Sequence, residues 1–225
     1  MPTLTEHTTE ASKTPDASFM QSLKAATQAA HDSAEKHPFH RALAQGLAPR
    51  EQYAAYLGQL LQVHSVLDNR LQAAAKSNPA VARVRRDEHH NVAHLMEDIG
   101  SMGICPVHIK PSPATQACIA RIERAASEAS VSLLGFHYVM EGSKNGGRFI
   151  AKVLRRVYGF EGPTGTLYFD PYGDSQRACW LQFRADMDAC AFSEPEQALI
   201  LESAMAMFDA VAAIGEDLIP GSSRV

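Results

Sequence analysis

Apolar side chains recur at steps of three and four along almost the whole chain. Tyr53, Leu57, Leu60, Leu61, His64 and Leu67 form one such stripe, the mark of a helix that buries a single face. Strict apolar–polar alternation with β-branched residues is scarce, and Ala, Leu, Gln, Glu, Lys and Arg fill the stretches between turns. The pattern predicts a first helix from about Ser18 to Lys36, stopped by Pro38, because a residue preceding proline is pushed out of the helical region. It predicts further helices from near Pro49, from about Pro79 to Gly100, and from roughly Ala114 to Glu128. Others follow over Ser130 to Gly142, Lys144 to Tyr158, Ser175 to Cys190 and Ser193 to about Leu218. The segment Ser193-Glu-Pro-Glu196 reads as a capping box with acidic residues at the positive end of the last helix. Proline- and glycine-rich stretches over Gly103–Ser112 and Phe160–Asp174 read as connectors. The expected architecture is an all-α multi-helix bundle, one domain over residues 18–219, with a disordered tail over 1–17 and a short C-terminal tail over 220–225.

Composition changes this picture little. The 225 residues are 45% hydrophobic, enough for one sizeable core, and the formal net charge of −4 argues against a general nucleic-acid binder. Basic clusters at Arg83–Arg86 and Arg148–Arg156 read as solvated faces that can meet an anionic ligand or an acidic partner. Four cysteines (Cys105, Cys118, Cys179, Cys190) lack any Cys-x-x-Cys spacing and read as reduced thiols. No uninterrupted apolar run approaches a membrane span, and the first residues lack the basic-then-apolar order of a signal peptide. The expected compartment is the cytoplasm, with no membrane partner.

Candidate chemistry begins at His31, in Leu23-Lys-Ala-Ala-Thr-Gln-Ala-Ala-His-Asp-Ser-Ala-Glu35. Ala29, Ala30 and Ala34 surround it and leave room for a planar group. Glu35 stands one turn later, where a carboxylate can orient the imidazole of a metal ligand. Lys24, two turns earlier, can reach an anionic group at a cofactor's edge. A second motif is Glu141-Gly-Ser-Lys-Asn-Gly-Gly147, where Gly142, Gly146 and Gly147 fall on or beside one helical face. Glycine inside a helix costs about 1 kcal/mol relative to alanine, and close approach of backbone to a ligand is one compensation. The other is a helix break or close helix packing. Read together, the motifs suggest a flat cofactor, haem, held between a ligating helix and a helix thinned to backbone. A third cluster, His90, His94 and Glu97, falls on one face of the predicted Pro79–Gly100 helix at metal-compatible spacing. It reads as a solvated face, or as half of a di-iron site with no Glu-x-x-His partner elsewhere.

The segment around His31 resembles the proximal-helix signature of haem oxygenases, and Phe136-His-Tyr-Val-Met-Glu-Gly-Ser-Lys-Asn-Gly-Gly-Arg148 resembles their distal helix, especially in the bacterial branch. The likeness extends in outline from Met20 to Leu218. It implies that His31 is the axial iron ligand and Glu35 its orienting partner, with Lys24, Thr27 and Ala34 bordering the haem and Lys24 facing a propionate. It further implies that Tyr138 packs at the haem edge, that Gly142, Ser143, Gly146 and Gly147 form the distal wall, and that Phe208 lies against the macrocycle. Gly142, Ser143 and Gly146 would then serve the reaction at the oxygen-binding face. Animal-type members carry an aspartate where this chain has Ser143 and an arginine where it has Val139, so the proton-delivering network must rest on other groups. The implied activity is the opening of haem to biliverdin with release of ferrous iron and carbon monoxide, using O2 and electrons from a separate reductase or ferredoxin-type donor. Two alternatives stand beside it: a non-catalytic haem carrier or sensor on the same fold, and a non-haem di-iron oxidase built on His90, His94 and Glu97.

Overall fold

The computed structural model describes residues 17–105, 109–219 and 221. The tails predicted over 1–17 and 220–225 lie almost wholly outside those residues, as do Pro106 and His108 of the first connector. Among the described residues the chain is helical, without strands, in the order α1 (Phe19–Lys36), α2 (Pro38–Gln45), α3 (Arg50–Ala74), α4 (Pro79–Val84), α5 (Val92–Ser101), α6 (Pro113–Glu128), α7 (Leu133–Tyr158), α8 (Gln176–Asp188) and α9 (Glu194–Asp217). Caps follow from local chemistry. Ser18 and Gln21 close a reciprocal box on α1. At α9 the Ser193 amide and hydroxyl both donate to Glu196 Oε2, at 2.9 and 2.7 Å. Gly46 and Gly159 end α2 and α7 in the left-handed conformation that glycine adopts without strain.

Helix α9 is the hub. It packs against α1, α2, α6 and α7, and α3 joins the other side through α5, α6 and α7. By length and composition α9 is apolar enough to cross a membrane. Its neighbours on several sides account for that character, since Ile200, Ala204, Met207 and Ile214 are all buried against them. Its close approach to α7 requires Gly135, where a Cβ would collide with Ile200 O.

Three expectations change. Residues 38–45 form their own helix, with Pro38 at its first position, where proline's missing N–H costs nothing. The helix predicted over Pro79–Gly100 is two helices parted by a 3₁₀ turn at Asp87–His89, and the cause is tertiary. Arg86 forks onto Asp186 (2.9 and 2.7 Å), His89 meets His137 (3.0 Å) and the Asn91 amide donates to Asp68 (3.4 Å), partners that a straight helix would not reach together. Conversely, the glycine motif does not divide the chain into two helices. α7 runs unbroken through it for 26 residues.

Candidate functional site

Helices α1 and α7 both lie on α9 and approach each other where Thr27 Oγ1 meets Tyr138 Oη at 3.4 Å. Thr27 is buried because its hydroxyl also donates to Leu23 O at 2.8 Å, which removes the cost of burying it. One turn beyond that contact stand His31 on α1 and Gly142 on α7. The His31 side chain is half exposed. Its ring meets Phe208 of α9 edge-on at 5.9 Å, which limits its rotation. Nδ1 faces the Asp32 carboxylate at 3.5 Å, while Nε2 has no partner among the described residues. Asp32 in turn accepts from Gln28 Nε2 at 2.7 Å, and this bond, followed by the contact with His31, lowers its pKa. The ligand atoms of His31, Asp32 and Glu35 lie within 4.8 Å of one another. Lys24 is exposed two turns away, and Ala34 turns its carbonyl to His40 Nδ1 at 2.9 Å, which pins the end of α1 to α2.

On α7 the motif has two sides. Gly142, Ser143 and Gly146 face outward, and a Cβ at Gly146 would meet nothing within 4 Å. A Cβ at Gly142 would meet only Trp180, at 3.5 Å. Trp180 lies 6.0 Å from Tyr138 and stacks on Phe183 at 5.4 Å, so an aromatic cluster closes one end of the bare stretch. Ser143 Oγ donates to Met140 O at 2.8 Å and keeps its lone pairs for other donors. Gly147 plays a different part, being buried where a Cβ would collide with Phe169 O. It therefore seats the 160–174 connector and does not join the outward wall with Gly146.

Behind the helix the motif is tied down by charge. Lys144 and Glu141 form an ion pair that is 2–3% exposed, and Tyr172 Oη accepts from Lys144 Nζ at 2.9 Å while lying 3.0 Å from both Glu141 Oε2 and Glu88 O. Burial pushes Glu141 up and Lys144 down in pKa, and each holds the other charged against that push. Asn145 Nδ2 donates to Gly142 O at 3.0 Å and Gln176 Nε2 donates to Asn145 Oδ1 at 3.3 Å, linking the glycine turn to α8. Close packing of Gly135 against α9 and of Gly147 against the 160–174 connector, together with this ion pair, accounts for a helix that stays whole despite four glycines.

The structure thus brings Thr27, His31, Glu35, Tyr138, Phe208 and the Gly142–Gly146 face into one neighbourhood. It does not assemble His90, His94 and Glu97. His90 lies outside α5 and turns to Asp68 (3.6 Å) and Arg85, whereas Glu97 accepts from Thr164 Oγ1 at 3.3 Å. Among the described residues the only group of His, Cys, Asp or Glu at ligand spacing is His31, Asp32 and Glu35. Sequence reasoning missed Asp32, which sits at i+1 where side chains rarely face each other. It also missed Trp180, for which being the chain's single tryptophan was the sole signal.

The heme oxygenase family model matches residues 17–217. Haem oxygenase-1 of the cyanobacterium Synechocystis, solved in complex with haem, superposes with a TM-score of 0.83 at 20% identity, over 92% of this chain and 94% of that one. The haem oxygenase of Leptospira interrogans gives 0.82 at 23% identity, over 88% and 98%. A domain of unknown function with a haem-oxygenase-like fold from Shewanella denitrificans gives 0.70 at 15% identity, over 90% and 92%, so the fold by itself fixes no activity. No curated protein matches the sequence significantly. With nearly the whole helical region covered by one family model, the chain belongs to the haem oxygenase family.

Proposed function

We propose that this protein holds haem between α1 and the outward face of α7 and opens it to biliverdin. The observation that carries the reading is the pairing of a histidine whose Nε2 is free with a neighbouring helix stripped to backbone at Gly142 and Gly146. A planar group fits such a gap because a Cβ at Gly146 would otherwise occupy it. When bound, haem supplies both the iron that activates O2 and the ring that is opened, with ferrous iron and carbon monoxide as the other products. Electrons come from a separate reductase or ferredoxin-type donor.

The chain's own residues bind, orient and exclude. His31 would hold the haem iron through Nε2, while the Asp32 carboxylate facing Nδ1, with Glu35 close by, would favour the proton on Nδ1 and fix the tautomer. Lys24 lies within reach of a propionate from the same helix. Phe208, Tyr138 and Trp180 pack around the rim and keep water from it. Gly142 and Gly146 would present backbone, in place of side chains, to the group held by His31. Ser143 Oγ accepts hydrogen bonds there, its own proton being held by Met140 O.

That same commitment of the Ser143 proton favours a second reading, a carrier that holds haem without opening it. Mixing the purified protein with haemin, O2 and a chemical reductant separates the two. Loss of the Soret band with growth of a biliverdin band is the expected result, and a Soret band stable through repeated reduction would leave the carrier reading in its place.

A further inference from the structure

The end of α1 holds more acid than the orientation of one imidazole requires. A single carboxylate fixes a ring, and here Asp32 and Glu35 both stand beside His31, with a ligand atom of each within 4.8 Å of the others. The two carboxylates are three residues apart on one helix, where like charges are neighbours and repel. A cation between them removes that cost. An imidazole nitrogen with two carboxylate oxygens is a donor set for a borderline divalent ion such as zinc or ferrous iron. Two donors at about 2.1 Å from one tetrahedral ion stand about 3.4 Å apart. His31 Nδ1 and Asp32 Oδ1 already lie 3.5 Å apart, and Glu35 stands one turn on, on the same side as His31.

The donors are also held from behind, as ligands of a metal usually are. Gln28 Nε2 donates to Asp32 Oδ1 at 2.7 Å, and Phe208 meets the His31 ring edge-on at 5.9 Å. The side chains of His31 and Asp32 are about half exposed, so an ion can enter from solvent and water can fill the remaining coordination positions.

We propose that the haem-free protein binds a first-row divalent transition-metal ion through His31 Nδ1, Asp32 and Glu35, and that this ion and haem exclude each other. The first half stands on the cluster alone, whereas the second rests on the haem oxygenase reading. The exclusion follows from one proton. A neutral imidazole carries a single N–H, so a metal on Nδ1 leaves the proton on Nε2, which then has no lone pair for haem iron. With haem iron on Nε2 the proton sits on Nδ1, where it is donated to a carboxylate and no metal can bind. Holding both ions at once would require the ring to lose that proton altogether. Ferrous iron, the ion released when haem is opened, belongs to the class that the site suits. The product of one turnover would therefore compete with the next haem.

The test is a zinc titration of the full-length haem-free protein, followed by 15N-histidine NMR at the His31 signal, which the His31→Ala spectrum identifies. Zinc is expected to bind at this site and to move the His31 proton to Nε2. Asp32→Asn and Glu35→Gln should each weaken the binding read at that signal by about tenfold. A His31 signal unmoved by excess zinc would overturn the site, and so would equal zinc affinity in wild type and both variants. With zinc at about ten times its dissociation constant, haemin should bind the wild-type protein about tenfold more weakly, and a chelator should restore it. Unchanged haemin affinity with zinc in place would overturn the exclusion and leave the metal site standing. A protein that takes zinc at His31 but never binds haemin would overturn the haem oxygenase reading, and the exclusion with it.

Discussion

Histidine shows how burial divides one residue type into different jobs. His31 is half exposed and keeps a free nitrogen, which suits a ligand. His89 and His137 lie 3.0 Å apart in the core beside Phe183, and burial keeps both neutral. Desolvation, reinforced by the Lys144 charge, brings His89 down to about 3 and His137 well below its ordinary value of 6.5. The sign of the consequence is fixed: the unfolded chain binds these protons more tightly, so stability is full above pH 6.5 and is lost as the pH falls toward about 3. The slope approaches about 1.4 kcal/mol per pH unit for each such histidine. Asp98, raised to about 6 by burial, pulls the other way between that value and 3.8, but over a narrower range. Melting temperatures measured from about pH 8 to 4 should therefore be level at first and drop below the ordinary histidine value of 6.5. A curve that stays flat throughout would contradict the neutral buried pair.

At the scale of elements, α7 shows glycine in two roles within two adjacent positions. Gly147 makes room for the Phe169 carbonyl, whereas Gly146 faces open space. The two alanine substitutions should therefore differ in sign. Gly147→Ala overpacks the seat of the 160–174 connector and should cost about 1–3 kcal/mol or more. Gly146→Ala gains helix propensity and should stabilise the haem-free protein by up to ~1 kcal/mol while weakening haem binding. Urea unfolding and haemin titration of both variants check this, and a destabilised Gly146→Ala would sink the assignment. The same helix marks a limit of sequence reading. Spacing showed that the glycines needed compensation but not which kind, because the carbonyl that Gly147 makes room for comes from Phe169, 22 residues on. The break at Arg85–Asn91 was hidden for the same reason, since its partners Asp186, His137 and Asp68 lie far off in sequence.

At the scale of the molecule, what was legible was what short-range periodicity writes. The helical class, the ends of α1, α6 and α9, and the motifs carrying His31 and Gly142–Gly147 all follow from residues within a few turns of one another. Two things stayed hidden. Asp32 faces His31 from the next position, against the usual helical spacing, and Trp180 reaches Gly142 from α8, far off in sequence. The meeting of α1 with α7 depends in turn on α9, against which both pack, an arrangement that no local pattern states. The account stands or falls on His31 as the residue that holds the iron. Its most direct test is the visible spectrum of haemin-loaded His31→Ala with and without added imidazole. The account predicts weakened binding and an altered Soret band that imidazole restores to the wild-type position. A His31→Ala protein that binds haemin as tightly as wild type, with the same spectrum before any imidazole is added, would contradict it.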